Sequence, residues 1–184
     1  AKDAGGSAVE YYDTATVVST NGAVSFDRSV YPVPWPSGEL RDGAGNVSIN
    51  TESGDVTAWI TVTDADESND TLTTSSGSAK GTILVKHTNS AGSTTIATAG
   101  SAGGAVDGAT GSLAAELGPL SEIVIGSSEY EVGLTISQVM VAAADVTMQA
   151  GDVITVEYVD TADNAGGTST FYDSSTFDLR TGSL

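Results

Sequence analysis

The chain has 184 residues, with 24 Asp and Glu against 6 Lys and Arg, a single His and no Cys, giving a formal charge of -18. A surface this acidic repels nucleic-acid phosphates and anionic lipid, and without cysteine neither a disulfide nor a thiolate metal site enters. Hydrophobic residues make up 39%, which is material for a core and argues against disorder; no apolar run reaches the length of a membrane span.

Ala1-Lys2-Asp3-Ala4 has no signal-peptide pattern and reads as a mature or excised start. Thr, Val, Ser, Ala and Gly dominate while helix-favouring residues are scarce, so strands are expected almost throughout. Val9 to Ser19 and Ala23 to Phe26 are the first candidate strands, separated by the turn signal Asn21-Gly22. Pro32, Pro34 and Pro36 then surround Trp35. Alternating prolines are incompatible with a central strand, so this stretch is expected to be an edge or a crossover between sheets, with Trp35 packed there. The clearest strand is Val56 to Thr63 (VTAWITVT), where Val56, Ala58, Ile60 and Val62 alternate with Thr57, Trp59, Thr61 and Thr63. Gly81 to His87 and Thr94 to Thr98 follow, then a Gly- and Ala-rich stretch from Gly100 to Gly111 that reads as a mobile loop. Leu113 to Leu117 reads as one helical turn before Pro119. Glu122 to Ile125 and Tyr130 to Ile136 are strands, and Ser137 to Ala144 is either a short helix or a buried strand. Asp152 to Val159 (DVITVEYV) repeats the period of two, and Thr168 to Leu179 closes the series. With further turn signals at Asp42-Gly43, Ser53-Gly54, Ala91-Gly92 and Gly151-Asp152, many short strands predict an all-β sandwich or barrel with little helix. The division is residues 1–22 as an N-terminal strand segment and 23–184 as the β-sandwich domain.

The two ends of the chain resemble each other, a likeness set against chance matching in a sequence rich in Thr, Ser and Gly. With Asp3 set against Asp163, an offset of 163 − 3 = 160 residues, Gly6 matches Gly166, Tyr12 matches Tyr172, Asp13 matches Asp173 and Thr16 matches Thr176. Tyr11 faces Phe171, Thr14 faces Ser174 and Val17 faces Phe177. A chain that begins with a copy of its own last strand owns one strand more than a closed domain requires. The segment carrying Val9, Tyr11, Tyr12, Asp13, Thr16 and Val17 is therefore a candidate donor strand, offered to the sheet of a neighbouring copy through main-chain hydrogen bonds. Such a head-to-tail contact does not close and leads to a fibre or lattice; in a longer multi-repeat protein the same overlap is the junction between units.

Two acidic clusters each follow a strong strand. Asp64, Asp66, Ser68 and Asp70 fall at alternate positions after VTAWITVT, with Asn69 among them, and Asp160, Asp163 and Asn164 follow DVITVEYV. Calcium takes six to eight hard oxygen ligands of these types, so both clusters are candidate calcium sites, set against the plainer reading of solvated acidic turns. Asn46 and Asn69 each begin an N-x-S/T sequence and are candidate glycosylation sites.

The succession VSFDRSVYPVP, VTAWITVTDADESND, AGDVITVEYVDTADNAGG and YDSSTF is similar to acidic immunoglobulin-like repeats of surface-layer and other extracellular proteins of archaea and some bacteria. Asp64, Asp66 and Asn69 carry the first motif; Gly151, Asp152, Ile154, Val156, Tyr158 and Asp160 carry the second. The resemblance spans Val24 to Phe177, although Glu131 to Ile136 keeps only the start of the segment such units often have in their middle. It implies an immunoglobulin-like antiparallel β-sandwich of Greek-key or jelly-roll type, located outside the cell or at its surface, that assembles with copies of itself and uses calcium.

An enzyme is the weaker expectation. The lone His87 ends the strand GTILVKH with no nucleophile motif beside it and reads as a surface residue. A carbohydrate-binding module is a further alternative, with Trp59 on the Thr-rich face of its strand as the candidate glycan platform, although packing is the expected fate of both tryptophans.

Overall fold

The fold is taken from a computed structural model, which describes residues 19–35, 38–41, 44, 47–51, 54–65, 71–72, 83–99, 115–116, 120–140 and 145–179. In chain order the strands are β1 (Ala23–Phe26), β2 (Val30–Pro32), β3 (Gly38–Arg41), β4 (Val47–Thr51), β5 (Val56–Thr63), β6 (Thr71–Leu72), β7 (Ile83–Asn89), β8 (Gly92–Ala99), β9 (Ala115–Glu116), β10 (Leu120–Glu122), β11 (Glu129–Ile136), β12 (Val139–Met140), β13 (Val146–Thr147), β14 (Val153–Asp160) and β15 (Ser169–Asp178). No helix occurs among the described residues, and the chain is an all-β sandwich.

The alternation in the sequence decides which face of each strand turns inward. Along β5, Val56, Ala58, Ile60 and Val62 are buried, and along β14, Ile154, Val156 and Tyr158 are. Each fully buried aliphatic side chain of this kind contributes about 1.5–3 kcal/mol. Both strands are interior members of their sheets. One sheet runs β1-β5-β11-β10-β6, the other β2-β15-β14-β7-β8-β9, and the hairpins β3-β4 and β12-β13 stand apart. The two sheets share one core, in which Phe26, Ile60, Tyr130 and Leu134 of the first meet Tyr31, Ile83, Val156 and Phe177 of the second.

Of the two expectations for the proline-rich segment, the edge is observed at its start: β2, which ends at Pro32, is the outermost strand of the six-stranded sheet, and the chain changes sheets just before it. β1 pairs antiparallel with β5, and three residues later β2 pairs parallel with β15 in the other sheet. Trp35 closes the segment with a bridge to Gly54, whose amide donates to the Trp35 carbonyl at 2.8 Å.

Two elements differ from their sequence reading. Ala115–Glu116, inside the expected helical turn, pairs as a strand with β8 at the edge of the sheet, and residues 113, 114 and 117 lie outside the described residues. Within Ser137 to Ala144, Val139–Met140 pairs as a strand, with Met140 buried and Val139 exposed, and 141–144 lie outside the described residues. The strand expected at Glu122 to Ile125 ends at Glu122, and Ile123, Val124 and Ile125 form a turn. The Glu122 carboxylate receives the amides of Gly126 at 2.8 Å and Ser128 at 2.7 Å. That cap folds the chain back before the β-branched run can extend. Residues 9–18 of the candidate donor strand lie outside the described residues, and Ser19 is not in a strand.

Strand direction defines two ends. β5 runs from Val56, opposite Ile136, to Thr63, opposite Ala23 and Glu129. The second is the entry end, where residues 19–22 lead into β1; it also holds the end of β14 and the start of β15, since Asp160 pairs with Ser169. The opposite end holds Gly54, Gly151 and the end of β15.

Candidate functional site

Asp64, the first residue of one acidic cluster, and Asp160, the first of the other, are 96 residues apart (160 − 64) and come to the same end of the sandwich. Asp64 follows β5, and its Oδ2 receives the Tyr158 hydroxyl of β14 at 2.5 Å, a hydrogen bond that ties one sheet to the other. Asp160 is the last residue of β14. Its Oδ2 receives the Gly22 amide at 2.8 Å and its Oδ1 the Ala162 amide at 2.8 Å. Gly22 sits between the two acids: a Cβ built there would lie 2.5 Å from Cε1 of Tyr158 and 3.2 Å from Oδ2 of Asp64. Asn21-Gly22 is therefore more than a turn signal, because only glycine fits between the Tyr158 ring and the chain entering β1.

Neither acid is a solvated turn residue. Asp64 is 2% exposed and Asp160 1%, and acids buried to this degree must be satisfied by donors. Asp163 caps the turn that follows. Its Oδ1 receives the amides of Ala165 at 2.9 Å and Gly167 at 2.8 Å, and its Oδ2 the Ser169 hydroxyl at 2.5 Å. The Ser169 hydroxyl and the Gly167 and Ala165 amides hold its carboxyl below the usual range, against a small opposing effect of burial. Gly166 takes φ +73° in this turn. Asn164 donates its amide to the Asn21 side-chain oxygen at 3.1 Å, which fastens the turn to the entering chain.

Asp66, Ser68, Asn69 and Asp70 lie outside the described residues, as do Asn46 and the segment carrying Val9, Tyr11, Tyr12, Asp13, Thr16 and Val17. Among the described residues, no three His, Asp or Glu side chains gather as a metal-binding group.

Two further carboxylates do structural work that the sequence does not announce. Asp173 of β15 reaches across to β1 and accepts the Phe26 amide at 2.7 Å. Together with Asp160 on Gly22 it joins β1 to the six-stranded sheet by side-chain latches. Asp27 accepts the Tyr31 hydroxyl at 2.5 Å and the Trp59 amide at 2.8 Å. Burial pushes the Asp27 carboxyl up, but the Tyr31 and Trp59 donors and neighbouring Arg28 outweigh it and leave it below the usual range. Burial first, and Asp27 second, push the Tyr31 phenol well up.

His87 is the clearest correction. It is 2% exposed, and its Nε2 lies 2.8 Å from Oδ2 of Asp152, which also receives the Gln149 amide at 2.9 Å. The residue ends the period-two run Ile83, Val85, His87, whose members all face inward; that alternation was the available signal. The ring lines a cleft of about 310 Å³ at the end opposite the acidic loops, with Asn89, Thr94, Asp145 and Thr147 around it. No Ser or Thr hydroxyl hydrogen-bonds His87 among the described residues.

The tryptophans are not core residues either. Both are partly exposed: Trp35 packs on Gly54, and Trp59 lies on the outer face of β5 over Gly133 of β11.

The chain matches no protein-family model and no curated protein sequence.

Proposed function

We propose that this chain is the structural subunit of an extracellular polymer, a filament or a surface layer, that assembles head to tail by strand addition and is stiffened by calcium. One observation carries the reading. The residues that the N-terminal segment shares with the C-terminal one include those with geometric work in β15 and its preceding turn. Asp163 caps the turn, Gly166 takes its left-handed position and Asp173 latches the Phe26 amide. Their counterparts in the sequence are Asp3, Gly6 and Asp13. A segment with the same turn-and-strand set is equipped to pair as a strand with a sheet edge of a neighbouring copy.

The immunoglobulin-like part of the reading is supported by strand order. β1-β5-β11-β10 and β15-β14-β7 follow the A-B-E-D and G-F-C orders of such sandwiches. The calcium part is supported by the placement of Asp64 beside Asp160 across Gly22, with Asp66, Ser68, Asn69 and Asp70 following Asp64 directly in the chain. The hard oxygens of Asp64 and of that loop are the ligand set for the ion; Asp160 and Asp163 each already accept hydrogen bonds on both carboxylate oxygens. In this reading the protein is not an enzyme, and its partners are copies of itself.

The test is electron microscopy of the purified chain with calcium and with a chelator. Filaments or sheets that disappear on chelation are the expected result. A monomer under every condition ends the polymer reading and favours a single repeat of a long surface adhesin. A carbohydrate-binding module is the second reading, favoured by the exposed Trp59 ring over Gly133, and a glycan array decides it.

A further inference from the structure

The cleft beside His87 has no part in the polymer reading. Its volume of about 310 Å³ lies at the small end of the range for small-molecule sites, about 300–1,000 Å³. The β7–β8 hairpin supplies His87, Asn89 and Thr94 to its lining, and the segment around β13 supplies Asp145, Thr147 and Gln149.

His87 is the most buried of the lining residues, at 2% exposure. Its Nε2 faces the Asp152 carboxylate at 2.8 Å. An ionised carboxylate only accepts, so Nε2 carries the proton and the neutral ring has a bare lone pair at Nδ1. His87 makes no second hydrogen bond, yet among the described residues no fully buried side-chain nitrogen or oxygen lacks a partner. Nδ1 is therefore open to the cleft. It is an acceptor on a side chain almost wholly buried, held in orientation by the carboxylate behind it, and its donor must come from outside the chain.

The rest of the lining narrows what that donor is. The Thr94 and Thr147 hydroxyls and the Gln149 side-chain amide are bonded to nothing among the described residues. The Asn89 side-chain oxygen receives the Ala91 amide at 2.8 Å, which fixes the group and leaves its NH₂ as a donor. Asp145 adds an exposed carboxylate at the rim. With no Lys or Arg in the lining and a charge of -18, an anion is repelled. With no aromatic ring in the lining, a planar ligand has nothing to stack on. A metal ion needs more ligands than His87 and Asp145 supply. Two pure acceptors set among hydroxyls and amides match a ligand that carries several hydroxyls of its own. Each ligand O–H donates to Nδ1 or to the carboxylate, while its oxygen accepts from a neighbouring hydroxyl or amide.

We propose that this cleft binds a neutral polyhydroxylated ligand of monosaccharide size, with one hydroxyl donating to His87 Nδ1 and a second to the Asp145 carboxylate. Asp152 is a positioning residue, acting through the imidazole. The site is separate from the Trp59 face and does not rest on the polymer reading.

The test is a titration of the full ¹⁵N-labelled chain in calcium-free buffer with galactose, glucose, mannose and inositol, one at a time, followed by nuclear magnetic resonance. For at least one probe, the backbone amides of Asn89, Thr94 and Thr147 are expected to shift saturably in the millimolar range. The His87 Nδ1 signal is expected to move upfield with them, as a lone pair does on accepting a hydrogen bond. Asp145→Ala is expected to weaken binding at least about tenfold, and Asp145→Asn, which keeps an acceptor oxygen, by less. Melting that matches the parent confirms that both variants remain folded. Saturable shifts that leave Nδ1 unmoved overturn the proposal, as does parent affinity in Asp145→Ala. Shifts gathered around Trp59 and Gly133 overturn it in favour of the carbohydrate platform on β5. A zinc titration that moves Nδ1 at micromolar concentration while the four probes stay silent overturns it in favour of a metal site. The absence of saturable shifts with every probe overturns it outright, and the polymer reading, which microscopy decides, is untouched by any of these results.

Discussion

β14 begins and ends beside a buried aspartate, and the two are satisfied differently. Asp152, just before the strand, faces the imidazole of His87 and the Gln149 amide. Asp160, its last residue, faces the amides of Gly22 and Ala162, with Asp64 across Gly22 receiving the Tyr158 hydroxyl. Backbone amides replace water around the Asp160 carboxylate from two distant segments, whereas Asp152 meets one amide and the chain's single imidazole. The same residue type, buried at both ends of one strand, is thus satisfied by amides alone at one end and by an amide and a side-chain ring at the other. The acidic end is also where the chain enters the fold, so in the proposed polymer a calcium ion held there would sit at the junction with a neighbouring copy.

The largest expected effect that bears on this contrast is at the histidine end. His87→Ala removes a buried ring and takes a partner from the Asp152 carboxylate; a loss of about 3–4 kcal/mol in urea-induced unfolding is expected. A loss under about 1 kcal/mol would mean that Asp152 finds replacement donors in the adjoining cleft, and the contrast between the ends would collapse. At the entry end, Gly22→Ala pushes a methyl group into the Tyr158 ring, and a cost of about 2–3 kcal/mol is expected by the same measurement. Tyr158→Phe is gentler. It leaves Asp64 without the phenol donor and should cost about 2 kcal/mol, and if Asp64 is a calcium ligand the ion should offset part of that loss in thermal melts with and without chelator.

Acid sharpens the comparison least but most generally. Asp163 and Asp27 both have carboxyls held below the usual range in the folded chain, so the folded state binds these protons more weakly than the unfolded state does. The stability they contribute is present in full above about pH 4, the ordinary carboxyl range, and is lost as the pH falls through their lowered values. Asp163→Asn should therefore lose less melting temperature than the parent when the pH is taken from about 5 to about 2. Equal losses would show that the turn cap contributes no pH-dependent stability.

Much of the sheet architecture was legible because exposure alternates with the strand period. Ala23–Phe26 and Val56–Thr63 have their expected bounds, and β14 and β15 are displaced by only one residue at each end. The β10 turn was misread because Glu122 to Ile125 has strand propensity, while the cap that stops it needs the amides of Gly126 and Ser128 folded back onto Glu122. His87 was misread by its position at the end of a run, although the alternation of Ile83 and Val85 extends to it. The acidic residues were legible as clusters after strands, but the burial of Asp64, Asp160 and Asp163 was not, since carboxylates enter an interior only when donors meet them there.

The sequence by itself determined that this chain is an acidic all-β protein and which face of its main strands is apolar, because both are properties of composition and a two-residue period. It also carried the likeness between the two ends of the chain. Only the tertiary structure decided that Asp64 and Asp160 share one end, that Asp173 latches β1 and that three apolar residues stand exposed beside the chain's entry. Those facts depend on contacts between residues up to 147 positions apart, and a local pattern does not encode which distant amide a carboxylate will meet.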